Sequence, residues 1–542
     1  MDGLMMNRPL LQSGVLDFAA ESFPAAEIVS RRVEGDLHRQ SWAQTRERAV
    51  QLSFALQDMG VGMGDRVATL AWNGHRHLEI YHAVPGIGAI CHTINPRLSP
   101  EQMAFITHHA DDGLLFTDLT FVPLLEKLKD QLPPMRFVIL TDRAHMPENT
   151  LDALCYEELL QGRATDRDWP EFPETTASGL CYTSGTTGDP KGTLYTHRSN
   201  MLHSLATAAV LGADLGVQPR ILPVVPLFHV NAWGLPFTCP LIGASMVMPG
   251  PHLDGASLWD LCQTEGVQSA GGVPTIWQGL HSEMLARGGK PEALRHIVVG
   301  GSAMPRSLIE GFEKLGIDVN HAWGMTETSP LGSQGSLTAD KRKLPFDQRM
   351  SLKQTQGRRV FGVDMKIIDD DGQRQPHDGV AMGELFVRGN TVASGYYNNA
   401  EASAKAVDKD GWFGTGDIAS IAPDSTLTLR DRAKDLIKSG GEWISSIDVE
   451  NLAVSHPGVA QCAVIAMPHP KWDERPLLVV KCEGDARPTL EDICTTLQPH
   501  LAKWQYPDDV VYIDAMPMTA TGKISKLTLR EQFKDYVLPD LR

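Results

Sequence analysis

No two of the eight cysteines are spaced as Cys-x-x-Cys; they lie scattered between Cys91 and Cys494. The sequence therefore lacks the usual zinc and disulfide frameworks, and the thiols read as reduced and structural, as expected in a cytoplasmic protein. Long hydrophobic runs are missing as well. The most apolar stretches, residues 221–228 and 235–249, are short or broken by Pro and Gly, well under the ~20 residues of a membrane span. The N-terminal MDGLMMNRPLLQSG has no basic segment leading into an apolar one, so no signal peptide is expected. Positive charge is in deficit: 49 Lys and Arg against 66 Asp and Glu leave −17. General binding to nucleic acid or to an anionic membrane is disfavoured, because it draws on clustered Lys and Arg. A local basic pocket for a small phosphate ligand remains compatible with that balance.

What is present is ample core material, 42% hydrophobic over 542 residues, enough for two to four structural units. Helical and strand-like segments alternate, which favours α/β layers. Residues 41–60 place Ala49, Leu52, Leu56 and Met59 on one helical face before Gly60, and residues 65–72 read as a buried strand. The alternation is expected to continue through the first 420 residues or so. Near residue 430 the texture changes: a strand-like STLTLR at 425–430 is followed by the charged DRAKD. Beyond it, strands near 435–438, 459–466, 477–482 and 510–513 alternate with helices from about Ser445, from Thr489 and at the C-terminus. Ser445 with Asp448, and Thr489 with Asp492, fit capping boxes. The expected organisation is mixed α/β and α+β: a large domain over 1–430, a hinge at 431–434, and a small domain over 435–542.

The segment YTSGTTGDPKG, Tyr182–Gly192, follows an apolar strand, Ser178–Tyr182. It precedes a helical pattern, THRSNMLHSLATAAVL, in which Met201, Leu205 and Ala208 share a face. Thr183, Ser184, Gly185, Thr186, Thr187 and Gly188 offer hydroxyls and approachable backbone N–H groups, and Lys191 adds charge. That chemistry suits phosphate, with a helix start just beyond it. It is not a Walker A loop, since Lys191 follows Pro190 and Gly522-Lys523 is followed by Ile524.

The loop resembles the phosphate signature of the adenylate-forming superfamily of acyl-CoA synthetases, peptide-synthetase adenylation domains and beetle luciferases. Further motifs follow in that superfamily's order: GGSAMP (300–305), WGMTET (323–328), GWFGTGD (411–417), DRAKDLIKSGG (431–441) and MTATGK (518–523). The resemblance spans essentially the whole chain. It implies a large adenylate-forming domain with a small mobile C-terminal domain, ATP and CoA as cosubstrates, and Mg2+ as cofactor. Gly301, Ser302 and Ala303 would line the adenine pocket and Gly300 the floor of the acyl pocket. His321, Ala322, Trp323, Gly324, Met325 and Thr326 would bound the nucleotide, with the Trp323 face available for stacking. Glu327 and Thr183 would hold magnesium; one carboxylate beside a triphosphate satisfies that ion.

Asp417 would accept from the ribose hydroxyls, with Arg432 as a second ribose contact. Lys523 would bring positive charge to the attack on the α-phosphorus, and Lys434 matches the hinge position. The second half-reaction would then swing Ser439, Gly440, Gly441 and Trp443 to the nucleotide, with Glu474 as a further CoA or nucleotide contact. For the acid, the resemblance of the segment PLFHVNAW (226–233) implies that His229 would flank the carboxylate, and Trp233 would follow one helical turn later. With Val273, Pro274, Trp277 and Pro330 nearby by analogy, the acid pocket is expected to be apolar and shortened by indole. These segments look most like bacterial short- and medium-chain acyl-CoA ligases. A thioether acid, 3-methylmercaptopropionate, is the leading substrate. A medium-chain or aryl acid, or loading of a carrier protein, stays as an alternative. The expected partners are therefore a small carboxylic acid, ATP and CoA, with no nucleic acid, no membrane insertion, and a homodimer by family resemblance.

Overall fold

A computed structural model describes all residues except 2, 184–188, 217, 441, 485, 520–522 and 542. The described residues form sheets of 13, seven and five strands. The seven-stranded sheet is parallel from Leu154–Cys155 through Ala177–Thr183 and closes with the antiparallel strand Lys191–Thr196. The 13-stranded sheet is parallel from Glu27–Arg31 to Asp318–Gly324 and antiparallel beyond, out to Val363–Ile368. The expected alternation of helix and strand thus ends near residue 324, not 420. No helix among the described residues is long and apolar enough to cross a membrane. All eight cysteines are free and six are buried.

Several local expectations hold. The helix Trp42–Asp58 starts with a complete capping box from Ser41 to Gln44 and buries Ala49, Leu52 and Leu56. The strand Arg66–Leu70 follows. Thr489 and Asp492 make a reciprocal box. Ser445 caps in one direction only: it accepts from Asp448 N, while its hydroxyl donates to Arg430 O at 2.6 Å.

Three local expectations are corrected. Between the phosphate loop and its helix lies the strand Lys191–Thr196, paired antiparallel with Ala177–Thr183. The loop therefore joins a hairpin, and the helix His197–Leu215 begins only after Thr196 caps it. On that helix Leu205 is 47% exposed, whereas His203, Thr207 and Leu211 are buried. The inward stripe is mixed: Thr207 and Leu211 line a cavity, Leu211 and Leu215 also pack in the core, and the His203 ring lies against Gly234. The strand near 430 runs on through Arg432, with Ile418 opposite Asp431 and Asp417 opposite Arg432. The buried Asp431 carboxylate accepts from Ser446 N and Oγ at 2.6 and 2.7 Å. It thereby ties this sheet to the start of the helix Ser446–Ala453 in the small domain.

The small domain has its own apolar cores on the two faces of its sheet, one around Val464 and Leu478, the other around Ile465 and Leu477. In the large domain, Asn73 fixes the segment that leads to His229. Its amide donates to Pro223 O and Val225 O at 2.8 and 2.9 Å, and its oxygen accepts from Leu227 N at 2.7 Å. Asn73 is buried, so Asn73→Ala strands three backbone groups. It should cost about 2–4 kcal/mol, read as an earlier denaturant transition; an unmoved transition would contradict this tie.

Candidate active site

In open parallel sheets, ligands gather at the carboxyl ends of the strands. Here the strands Ser269–Gly272, His296–Val299 and Asp318–Gly324 end at a cavity of about 1080 Å³ between the large sheet and the small domain. Of the residues singled out in the sequence, Thr183, Lys191, His229, Trp233, Gly300, Gly301, Ser302 and Ala303 line it. So do His321, Ala322, Trp323, Gly324, Met325, Thr326, Glu327, Pro330, Asp417, Arg432, Lys434 and Lys523. Ser439, Gly440, Trp443 and Glu474 are not among its lining residues. They are engaged within the small domain: Ser439 accepts from Arg475, Gly440 N donates to Trp472 O, and Glu474 accepts from Lys438 N. Lys438 lies over the Trp443 ring at 4.9 Å. The 184–188 part of the phosphate loop and Gly441 lie outside the described residues.

Lys523 reaches the cavity, with its N–H donating to Thr519 Oγ1 and its carbonyl accepting from Thr519 N. A methyl group at Gly301 would stand 3.4 Å from Lys523 Cε and 4.0 Å from Nζ, so the missing side chain leaves room for the ammonium group. Burial, then the nearby Arg432 charge, pulls Lys523 down to about 8, with Asp417 acting the other way. Asp417 is itself shared. Oδ2 accepts from Trp323 Nε1 and Oδ1 from Arg432 Nε, each at 2.8 Å. A carboxylate oxygen has two acceptor positions, so each keeps capacity for a further donor. Trp323 proves to be a core side chain as much as a lining one. It is buried among Val360, Val363 and Phe413 and packs over Gly332.

Glu327 is buried, and burial raises its pKa against the pull of a hydrogen bond from Tyr396. The Tyr396 hydroxyl donates to Oε1 at 2.7 Å, and the same ring lies 5.2 Å from Lys191 Nζ. Tyr396 thus holds the carboxylate and the phosphate-loop lysine in one arrangement. Sequence reasoning missed it, because nothing in the spacing of SGYY distinguishes it from a packing aromatic.

The acid-side segment departs from expectation. Val230, Asn231, Ala232 and Trp233 all have φ between 41° and 57°, a left-handed turn closed by Gly234. Each such residue costs roughly 1–2 kcal/mol, so the turn needs outside support. Tyr81 donates to Leu227 O, and its hydroxyl and Asn200 flank the Asn231 amide at 3.3 and 3.5 Å. A methyl at Gly234 would collide with the His203 ring at 2.5 Å. The result lays the Trp233 indole flat across the sheet, 3.0 Å from where a methyl at Gly300 would sit and 3.7 Å from one at Gly271. His229, half-buried beside it, is held neutral: burial and then the Lys523 charge lower it to about 4. Pro274 lines the cavity, but Trp277 does not. It is fully buried on the opposite face of the sheet, against Gly272.

Residues 16–397 match the AMP-binding enzyme family and residues 448–523 the AMP-binding enzyme C-terminal domain. A 3-methylmercaptopropionyl-CoA ligase of Ruegeria lacuscaerulensis is 50% identical over 541 residues, covering 99% of each chain. A medium-chain-fatty-acid–CoA ligase of Ectopseudomonas oleovorans is 44% identical, covering 99% of this chain and 98% of that one. Among solved structures, the anthranilate CoA ligase AuaEII superposes with a TM-score of 0.84 at 24% identity, over 96% and 97% of the two chains. The chain therefore belongs to the AMP-binding enzyme family, as an AMP-forming acyl-CoA ligase of the adenylate-forming superfamily.

Proposed function

We propose that the chain activates a short or medium carboxylic acid, with 3-methylmercaptopropionate foremost, and that Lys523 serves the first half-reaction. The observation that carries the acid is the Trp233 indole spread over Gly271 and Gly300, beside neutral His229 and on the same cavity as Lys523. A soft thioether chain packs well against an indole face, and the identity to ligases named for that acid supports the same choice. A neutral His229 leaves Lys523 as the cation that meets the carboxylate.

In the first step a carboxylate oxygen bonds to the α-phosphorus of ATP and pyrophosphate departs. Lys523 would offset the negative charge developing there, while Asp417 and Arg432 hold the ribose and Lys191 the phosphates. In the second step the CoA sulfur bonds to the acyl carbon and AMP departs. We place the hinge at the turn after Arg432, around Lys434, with Gly440-Gly441 brought in for the thiol. Magnesium bound with the triphosphate neutralises phosphate charge. Glu327 and Thr183 would hold it. The fit rests on a buried carboxylate that, among the described residues, makes no ion pair with Lys or Arg, the donor set that suits a phosphate-bound magnesium ion.

Specificity constants for 3-methylmercaptopropionate, butyrate, octanoate and benzoate test the acid. The thioether or aliphatic acids should lead, and a clear preference for benzoate would overturn the reading. Lys523→Ala should slow pyrophosphate release by about 100-fold or more yet spare thioester formation from supplied acyl-adenylate. Equal loss in both steps would contradict the division of labour. The unsubstituted enzyme should lose first-step rate as pH rises through about 8, where Lys523 sheds its proton. A first-step rate still rising well above that pH would assign the charge to another group.

A further inference from the structure

The cavity does not end at Trp233. It continues between the sheet and the helix His197–Leu215, with Thr207, Leu211, Ile221, Val298 and Ser269 on its walls. Strand register gives its direction. Gly271 pairs with Val298 near the indole, while Ser269 pairs with Ile221 on one side and His296 on the other. From Gly272 back to Ser269 is three residues, about 10 Å. On the helix, Thr207 to Asp214 is seven residues, again about 10 Å, and Thr207, Leu211 and Asp214 share one stripe. Two elements thus bound a shaft leading away from Lys523 toward the amino ends of the strands.

Its walls are largely apolar; its floor is a polar chain with an assignable direction. Asp214 Oδ2 accepts from Asn320 Nδ2 at 3.0 Å, and Asp214 is held in turn by Ser336 at 2.9 Å and Arg342 at 3.0 Å. A carboxylate can only accept, so the amide nitrogen must face it, and Asn320 Oδ1 is left without a partner. The same nitrogen lies 2.8 Å from His296 Nε2, which must then accept. Burial keeps His296 neutral, lowering its pKa, so its proton sits on Nδ1. That atom is 2.8 Å from Ser269 Oγ, which accepts in turn. Ser269 is 2% exposed, and among the described residues no protein group accepts its hydroxyl hydrogen. A donor is left over at the bottom of a shaft that opens toward the acid site.

We propose that this shaft is a distal acyl subsite whose floor offers the Ser269 hydroxyl to an oxygen acceptor near the far end of a medium-chain acid. The inference rests on the reading that places the reacting carboxylate between His229 and Lys523, and it extends that reading to longer, oxygenated chains. A buried donor left unmatched penalises the plain hydrocarbon, so discrimination follows from the floor rather than from shaft length.

The test compares kcat/KM for octanoate and 7-oxooctanoate with the full-length enzyme. The oxo acid should be favoured severalfold, up to about tenfold, as one neutral hydrogen bond allows. In Ser269→Ala the ratio should fall to about one, and in Ser269→Thr, which keeps the hydroxyl, it should stay above one. Equal constants in the unsubstituted enzyme, or a preference that survives Ser269→Ala, would overturn the subsite. So would turnover of butyrate with none of either eight-carbon acid. Those outcomes leave the ligase reading intact, whereas failure to activate any acid would overturn both.

Discussion

The site depends on keeping a lysine cation inside the cavity. Burial alone disfavours the charge, and Arg432 repels it; Asp417 is the carboxylate that offsets both. Asp417 can do so because its own position is fixed from two sides, by the indole of Trp323 in the core and by Arg432 across the strand pair. One carboxylate therefore links the packed sheet, the end of the strand Thr426–Arg432, and the lysine cation. Among the described residues, Lys523 Nζ makes no hydrogen bond or ion pair.

The second constraint is geometric. Buried polar contacts cross from the large sheet into the small domain: Ser446 N and Oγ donate to Asp431, and Ser445 Oγ donates to Arg430 O. Within the small domain, Lys526 reaches both Ser446 Oγ and Glu450 Oε1, the latter at 2.7 Å. Arg530 reaches Asp435 and the Lys434 carbonyl. Lys526 lies three residues after Lys523, so the ammonium that supports Ser446 is close in sequence to the cavity lysine. On the other side of the cavity, the left-handed turn at 230–233 stores strain that Asn231, Tyr81 and Gly234 hold in place. Its product is an indole aligned with the sheet, where a right-handed turn would direct it elsewhere.

Chemistry was more legible in the sequence than geometry. Loops that must approach phosphate need Gly, Thr, Ser and Lys, and those that face magnesium or ribose need a carboxylate, so GTTGDPKG, TET and TGD announce themselves by composition. The small domain was legible too, because the continuous apolar runs at 462–465 and 477–480 read as strands buried on both faces and Thr489-Asp492 marks a helix start. The strand Lys191–Thr196 was hidden by its place directly before a strong helical pattern, although Thr193, Tyr195 and Thr196 are strand-favouring residues. The turn at 230–233 left no trace, since four consecutive non-glycine residues with positive φ contradict local preference and exist only through tertiary support. Tyr396, Asn73 and the Asp214–Asn320–His296–Ser269 chain were invisible for a related reason: each acts on residues far away in sequence.

The account as a whole requires the acid to be activated by nucleotide before the thiol takes part, with Lys523 already in the cavity. Isotope exchange between pyrophosphate and ATP, followed with the acid present and CoA omitted, measures that order most directly. The account predicts exchange that depends on the acid and proceeds without CoA. Exchange that is absent until CoA is added would contradict it.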